Sequence, residues 1–294
     1  MFSSWRNYLF EHILQAFLEY PCSHFSEYTH LRHILLISPC IHIPPPLHTL
    51  HWISLFWCGH IFRIIFIIHL RDIILTNTFG ANSFRLKLHN AETAVKELNY
   101  HGASIAKKVV ADSNKNILIA GSIGPTGEII EPLGTTTWSE TTEAFSEQAK
   151  ALKEGGVDFF WIETMSSEDE MRCALDATKN LGLPTICSYS FDTHGKSMMG
   201  LDPKALVSLA EKYYPDIVGY GANCGIGASE LIGSILCFTV ARENQSMIIV
   251  AKANCGIPEF IEGEIEYNGT EQLMADYACY ARDIGATIIG GCCG

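Results

Sequence analysis

From residue 72 onward, short apolar runs alternate with longer stretches in which apolar residues recur every three or four positions. The short runs cover 72–76, 117–121, 158–163, 185–190, 217–223, 248–253 and 287–290. They are almost continuously apolar or small, the pattern of strands covered on both faces. The stretches at 91–112, 139–154, 167–181, 203–213, 228–243 and 271–284 have helical spacing. Two of them open on start signals. Asp202 precedes Pro203, and Ser166-Ser167 precedes Glu168-Asp169-Glu170. Strands alternating with helices at this spacing predict βαβ units in a parallel sheet. Seven βα repeats are legible, the last without its helix. The predicted fold is a (β/α)8 TIM-type barrel that, as read here, lacks its first strand and its last helix.

The pattern breaks at the other end. Residues 1–71 contain no Lys, Asp or Val, one Gly (Gly59), and nine of the 12 His. They carry four Arg against three Glu, a net +1, so 72–294 carries -13 of the chain's overall -12. The stretch 52–70 is apolar over about the length of a bilayer. His60, Arg63 and His69 interrupt it, and each is costly near a bilayer centre. The chain is therefore divided into an atypical segment, 1–71, and a globular domain, 72–294. The segment reads as a mis-assigned start or a lineage-specific extension, ahead of a membrane anchor. The acidic balance of the domain argues against nucleic acid and anionic membranes as partners. Eleven cysteines in a long chain without a clear secretory signal fit a reduced, cytoplasmic setting. Whether the chain forms homo-oligomers is left open.

Three turns rich in small residues follow predicted strands directly: Gly221-Ala222-Asn223-Cys224-Gly225, Ala253-Asn254-Cys255-Gly256-Ile257-Pro258 and Gly290-Gly291-Cys292-Cys293-Gly294. In a parallel barrel the carboxyl ends of all strands share one rim, where active sites are built. Cys224, Cys292 and Cys293 are therefore expected to converge there. Three thiolates leave one position of a tetrahedral zinc ion open, and a substrate thiol bound at that position would be held deprotonated. A redox role for the Cys292-Cys293 pair, and Cys255 as a fourth ligand that closes the site, stand as alternatives. Cys173, Cys187, Cys237 and Cys279 read as core residues.

The same domain resembles the homocysteine S-methyltransferase family, most of all the bacterial betaine–homocysteine methyltransferases. The matching stretches run in order from Ile74-Leu75-Thr76-Asn77-Thr78-Phe79-Gly80 through Gly121-Ser122-Ile123-Gly124-Pro125-Thr126-Gly127, Trp161-Ile162-Glu163-Thr164 and Ser190-Phe191-Asp192. They end on Gly221-Ala222-Asn223-Cys224 and Gly290-Gly291-Cys292-Cys293-Gly294, which match the family's zinc motifs. The resemblance implies an eight-stranded barrel, zinc on the three cysteines, homocysteine as methyl acceptor and methionine as product. It implies that Glu163 holds the substrate's amino group and that Thr76 and Thr78 lie beside it. Asn223 reads either as a support for the Cys224 loop or as a turn residue. The methyl donor implied is a small molecule, betaine foremost, with S-methylmethionine, a dimethylsulfonio compound or a folate as alternatives. Tyr189, Phe191, Trp161 and Tyr220 lie near strand ends but read as core rather than as a cage for a cationic donor. The resemblance also implies an Asp-Gly turn after a first strand and a helix beyond the paired cysteines. Neither is legible here, so a truncated, non-catalytic product is the competing expectation.

Overall fold

The computed structural model describes residues 72–294 apart from Asn114 and Gly263. The expectations for 1–71, including the apolar stretch and the first strand, lie outside the described residues. Within the described residues no helix is long and apolar enough to cross a membrane.

Seven parallel strands form the frame: β1 (Ile73–Leu75), β2 (Leu118–Ile123), β3 (Phe159–Met165), β4 (Thr185–Tyr189), β5 (Ile217–Cys224), β6 (Ile248–Ala253) and β9 (Ile288–Gly291). They pair in the order β1-β2-β3-β4-β5-β6-β9. Six principal helices follow the predicted stretches: α2 (Val95–Asp112), α3 (Trp138–Gly155), α4 (Glu168–Thr178), α5 (Pro203–Lys212), α6 (Ala228–Ala241) and α7 (Glu271–Asp283). Their start signals act as the sequence predicts. The Asp202 side chain accepts from the Ala205 amide ahead of α5, and Ser167 accepts from Glu170 ahead of α4. At α3, Thr137 and Glu140 cap each other reciprocally.

Each strand has two destinations for its side chains. One parity packs under the helices in the larger core, with Phe145, Leu152, Phe160, Tyr189, Tyr220 and Phe238. The other builds a smaller inner cluster of Ile73, Leu118, Ala120, Phe159, Trp161, Ile186, Ile248, Val250 and Ile288. The strands are thus buried on both faces, which is why they read as unbroken apolar runs. The sheet curls around the inner cluster. Glu163 on β3 contacts Lys252 on β6, although three strand spacings, about 14 Å in a flat sheet, lie between them.

Three details depart from the sequence reading. A five-residue helix, α1 (Ser83–Lys87), follows β1, capped by Asn82. An antiparallel hairpin, β7 (Pro258–Ile261) with β8 (Glu264–Tyr267), stands after β6 where a plain turn is expected. Its Glu259 and Phe260 are both exposed, the latter at 78 %, so no inside–outside alternation marks it. Finally, Cys173 and Cys187 are buried as expected, but Cys237 is exposed on α6 and Cys279 only half-buried.

Candidate metal centre

Cys224 ends β5 in the left-handed backbone region, at φ 62°, and Gly225 follows at φ 75°. These angles turn the chain sharply off the strand. Cys292 and Cys293 follow β9 directly and are tied to the end of β6. The Cys292 amide donates to the Ala253 carbonyl at 2.8 Å, which extends the β6–β9 ladder by one step. The Cys293 amide donates to Asn254 Oδ1 at 3.1 Å, and its carbonyl accepts from the Cys255 amide at 2.8 Å.

The result is one cluster. The three Sγ atoms lie within 4.8 Å of one another, with Cys292 and Cys293 at 3.9 Å. Donors at about 2.3 Å from a tetrahedral zinc ion sit roughly 3.8 Å apart, so the spacing fits a metal. Among the described residues no fourth His, Cys, Asp or Glu joins the group, and Cys255 stands outside it. Two amide groups point at the sulfurs. Asn223 Nδ2 lies 3.6 Å from Cys292 Sγ, and Asn254 Nδ2 lies 3.7 Å from Cys224 Sγ and 2.8 Å from the Gly225 carbonyl. Such donors stabilise thiolate ligands and fix their direction. Without a metal the thiols hold their protons. Contact with Cys292 pulls the Cys224 thiol down, but Cys293 and burial outweigh it and leave it at about 11. Contact with Cys224 and burial push the Cys292 thiol up to about 12.

Beside the cluster, the inward positions of the strands turn from apolar to polar at the rim. Glu163 Oε1 accepts from Ser122 Oγ at 2.5 Å, and Oε2 accepts from Lys252 Nζ. Lys252 also lies 5.1 Å from the centre of the Trp161 ring. Burial pushes the Lys252 ammonium down, but the Glu163 carboxylate outweighs it, and the net shift is upward. Asn223 joins this group to the sulfurs. Its Oδ1 accepts from the Thr164 amide at 2.8 Å and from Ser188 Oγ at 2.7 Å, while Nδ2 donates to Thr164 Oγ1 at 2.7 Å. Thr164 sits at φ 62°, an outlier for a β-branched residue, and Asn223 braces it from both sides.

The residues predicted from sequence all lie in this network. The three cysteines form the cluster, Asn223 touches it, and Glu163 is the residue before the braced Thr164. Thr76 and Thr78 share a hydrogen bond at 2.7 Å and clamp Ser122. Thr76 Oγ1 accepts from the Ser122 amide, and Thr78 Oγ1 donates to the Ser122 carbonyl. Sequence reasoning missed Ser122, Ser188, Lys252 and Asn254. A signal for Lys252 existed: it shares strand parity with Ile248 and Val250 in the apolar run Ile248-Ile249-Val250-Ala251-Lys252-Ala253. The aromatic residues are core, as expected. Tyr189 and Phe191 stack edge to face, and Phe191 and Tyr220 each stack on Phe238 of α6.

Comparison with known proteins completes the description. A family model described as homocysteine S-methyltransferase matches residues 66–294. The methionine synthases of Mycobacterium tuberculosis and Mycobacterium leprae are each 24% identical over 233 residues, which is 76% of this chain and 19% of theirs. The chain thus spans about a fifth of the length of the curated relatives it matches. Among solved structures, the homocysteine methyltransferase MmuM from Escherichia coli in its metallated form has a TM-score of 0.67 at 18% identity. The match covers 96% of this chain and 95% of that one. The oxidised form gives 0.65 at 19% identity, with 90% and 95% covered. At these identities the likeness is one of fold, a TIM-type barrel.

Proposed function

The chain belongs to the homocysteine S-methyltransferase family, and from that premise we propose that it transfers a methyl group from a small cationic donor, betaine foremost, to the thiol of homocysteine, giving methionine. The observation that carries this reading is the cluster of three strand-end thiols without a fourth protein ligand among the described residues. A zinc ion held by Cys224, Cys292 and Cys293 would supply an open position on which a substrate thiol is held as thiolate.

The protein's own residues supply the rest. Asn223 at the end of β5 and Asn254 just after β6 orient the cysteine sulfurs. Glu163 offers a buried carboxylate to the substrate ammonium, a charge-assisted contact. Thr76 and Thr78 hold β1 against β2 and keep Ser122 in place beneath that carboxylate. As the sulfur–methyl bond forms, the donor's carbon–nitrogen bond breaks and its electron pair leaves with the nitrogen. Alignment of the two reactants and exclusion of water account for most of the acceleration in such a site.

The test has two parts. Metal analysis of full-length protein is expected to give about one zinc per chain, lost when Cys224, Cys292 or Cys293 is changed to Ala. Methionine formation from homocysteine is then assayed with betaine, S-methylmethionine, a dimethylsulfonio compound and a methylated folate in turn. Betaine is expected to serve. Methionine from a different donor corrects that part alone, whereas zinc content untouched in all three variants sinks the metal site.

A further inference from the structure

The proposed chemistry leaves one group without a part. Lys252 is fully buried in the barrel interior, and its ammonium meets Glu163, itself 1 % exposed. An ion pair in such a place is weak evidence of stabilisation, because removing both charges from water costs several kcal/mol per ion and apolar residues of like volume often replace the pair without loss. Its partners suggest a different reason. A carboxylate has about four lone-pair sites. Ser122 and Lys252 take one on each oxygen of Glu163, which fixes the group in plane and direction while leaving acceptor capacity on both oxygens. The Trp161 ring covers Lys252 on one side, so the ammonium is itself held in place.

Register places this pair next to the thiol cluster. Lys252 is the pairing partner of Asn223 across β5 and β6, and Asn223 holds Cys292 Sγ. The holder of the carboxylate and the holder of the sulfur therefore stand one strand spacing apart, about 4.8 Å. Three carbon atoms between a thiol and an ammonium can bridge such a separation.

We propose that Lys252 is a positioning residue for substrate recognition: together with Ser122 it aligns the Glu163 carboxylate for the ammonium of an amino thiol, and so makes the site selective for thiols that carry an ammonium. This rests on the reading of homocysteine as substrate. Lys252 acts on the ammonium through Glu163 and makes no demand on the substrate's carboxylate.

The experiment follows thiol binding to cobalt-loaded full-length protein by the thiolate-to-cobalt absorption, with no methyl donor present. The probes are homocysteine, 4-mercaptobutyrate, which lacks the ammonium, and 3-aminopropane-1-thiol, which lacks the carboxylate. Lys252→Met is expected to weaken homocysteine and the aminothiol roughly tenfold or more, the value of one charge-assisted hydrogen bond, and to leave mercaptobutyrate unchanged. Lys252→Arg restores most of the loss. Ser122→Ala, which keeps the ion pair, shows a smaller loss of the same selectivity and decides the matter if Lys252→Met does not fold. Equal losses for all three thiols, or none, overturn the proposal. A wild-type protein that binds mercaptobutyrate as tightly as homocysteine also overturns it, yet leaves the metal–thiol reading standing. No thiol signal at all overturns both.

Discussion

At the scale of single residues, the cluster depends on side chains that are not among its proposed ligands. Asn254 donates from Nδ2 to Cys224 Sγ and accepts from the Cys293 amide on Oδ1, so one side chain sets the distance between the two cysteine turns. Changing Asn254 to Ala is expected to lower metal affinity roughly 10–100-fold, as loss of such supports does elsewhere. Chelator competition would measure it, and an unchanged affinity would return Asn254 to the role of a plain turn residue. The thiols also set a pH dependence. Cys224 and Cys292 stand at about 11 and 12 without metal, so metal must displace their protons on binding. Affinity should therefore rise with pH across the neutral range and fall steadily as pH drops, which titration with a metal indicator at pH 6.5, 7.5 and 8.5 would reveal.

At the scale of elements, the strands bring the ligands together by close approach. An added Cβ at Gly221 would lie 1.9 Å from the Val250 carbonyl oxygen, so β5 and β6 could not keep their spacing with any larger residue there. Gly221→Ala is expected to cost about 3 kcal/mol or more, by overpacking of a rigid backbone contact. The predicted drop in Tm is roughly 6–12 °C for a domain of this size. A drop below 2 °C would mean that the strands separate freely. The principal elements were legible because both of their physical signals are local. Continuous apolar runs mark strands covered on two faces, and Asp202-Pro203 or Ser167 marks a helix start. The β7–β8 hairpin was not legible, because Glu259 and Phe260 are both solvent-facing and neither period is written into it. Helix α1 is too short, at five residues, to carry a helical period.

At the scale of the whole molecule, the proposed metal site ties ligand binding to folding. A metal that binds the folded cluster and not the unfolded chain adds about 2.7 kcal/mol at a hundredfold excess over Kd. Zinc should accordingly raise Tm by roughly 5–10 °C in the wild type and leave the Cys224→Ala variant unmoved. A second dependence comes from the core. Burial pushes the Cys173 thiol up to about 11, against about 8.5 in an unfolded chain. A raised value means that the contribution to stability is full below the unfolded value and is lost as pH rises through the folded one. The metal-free domain should lose Tm between about pH 8.5 and 11, and Cys173→Ala should flatten that fall. An identical slope in the variant would assign the loss to other groups.

The sequence by itself determined the alternation of strands and helices, the helix starts, and the candidate ligands Cys224, Cys292 and Cys293, because apolar periodicity, capping and glycine-flanked cysteines are properties of neighbouring residues. Glu163, Thr76 and Thr78 were singled out by the family resemblance, and Asn223 read either as a support for the Cys224 loop or as a turn residue. Only the tertiary structure decided what these side chains meet. The curl of the sheet brings β3 against β6, so that Glu163 finds Lys252, and pairs the ends of β5, β6 and β9 so that Asn223 and Asn254 reach the sulfurs. Contacts between residues 30 to 90 positions apart depend on strand order and register, and no local pattern records either.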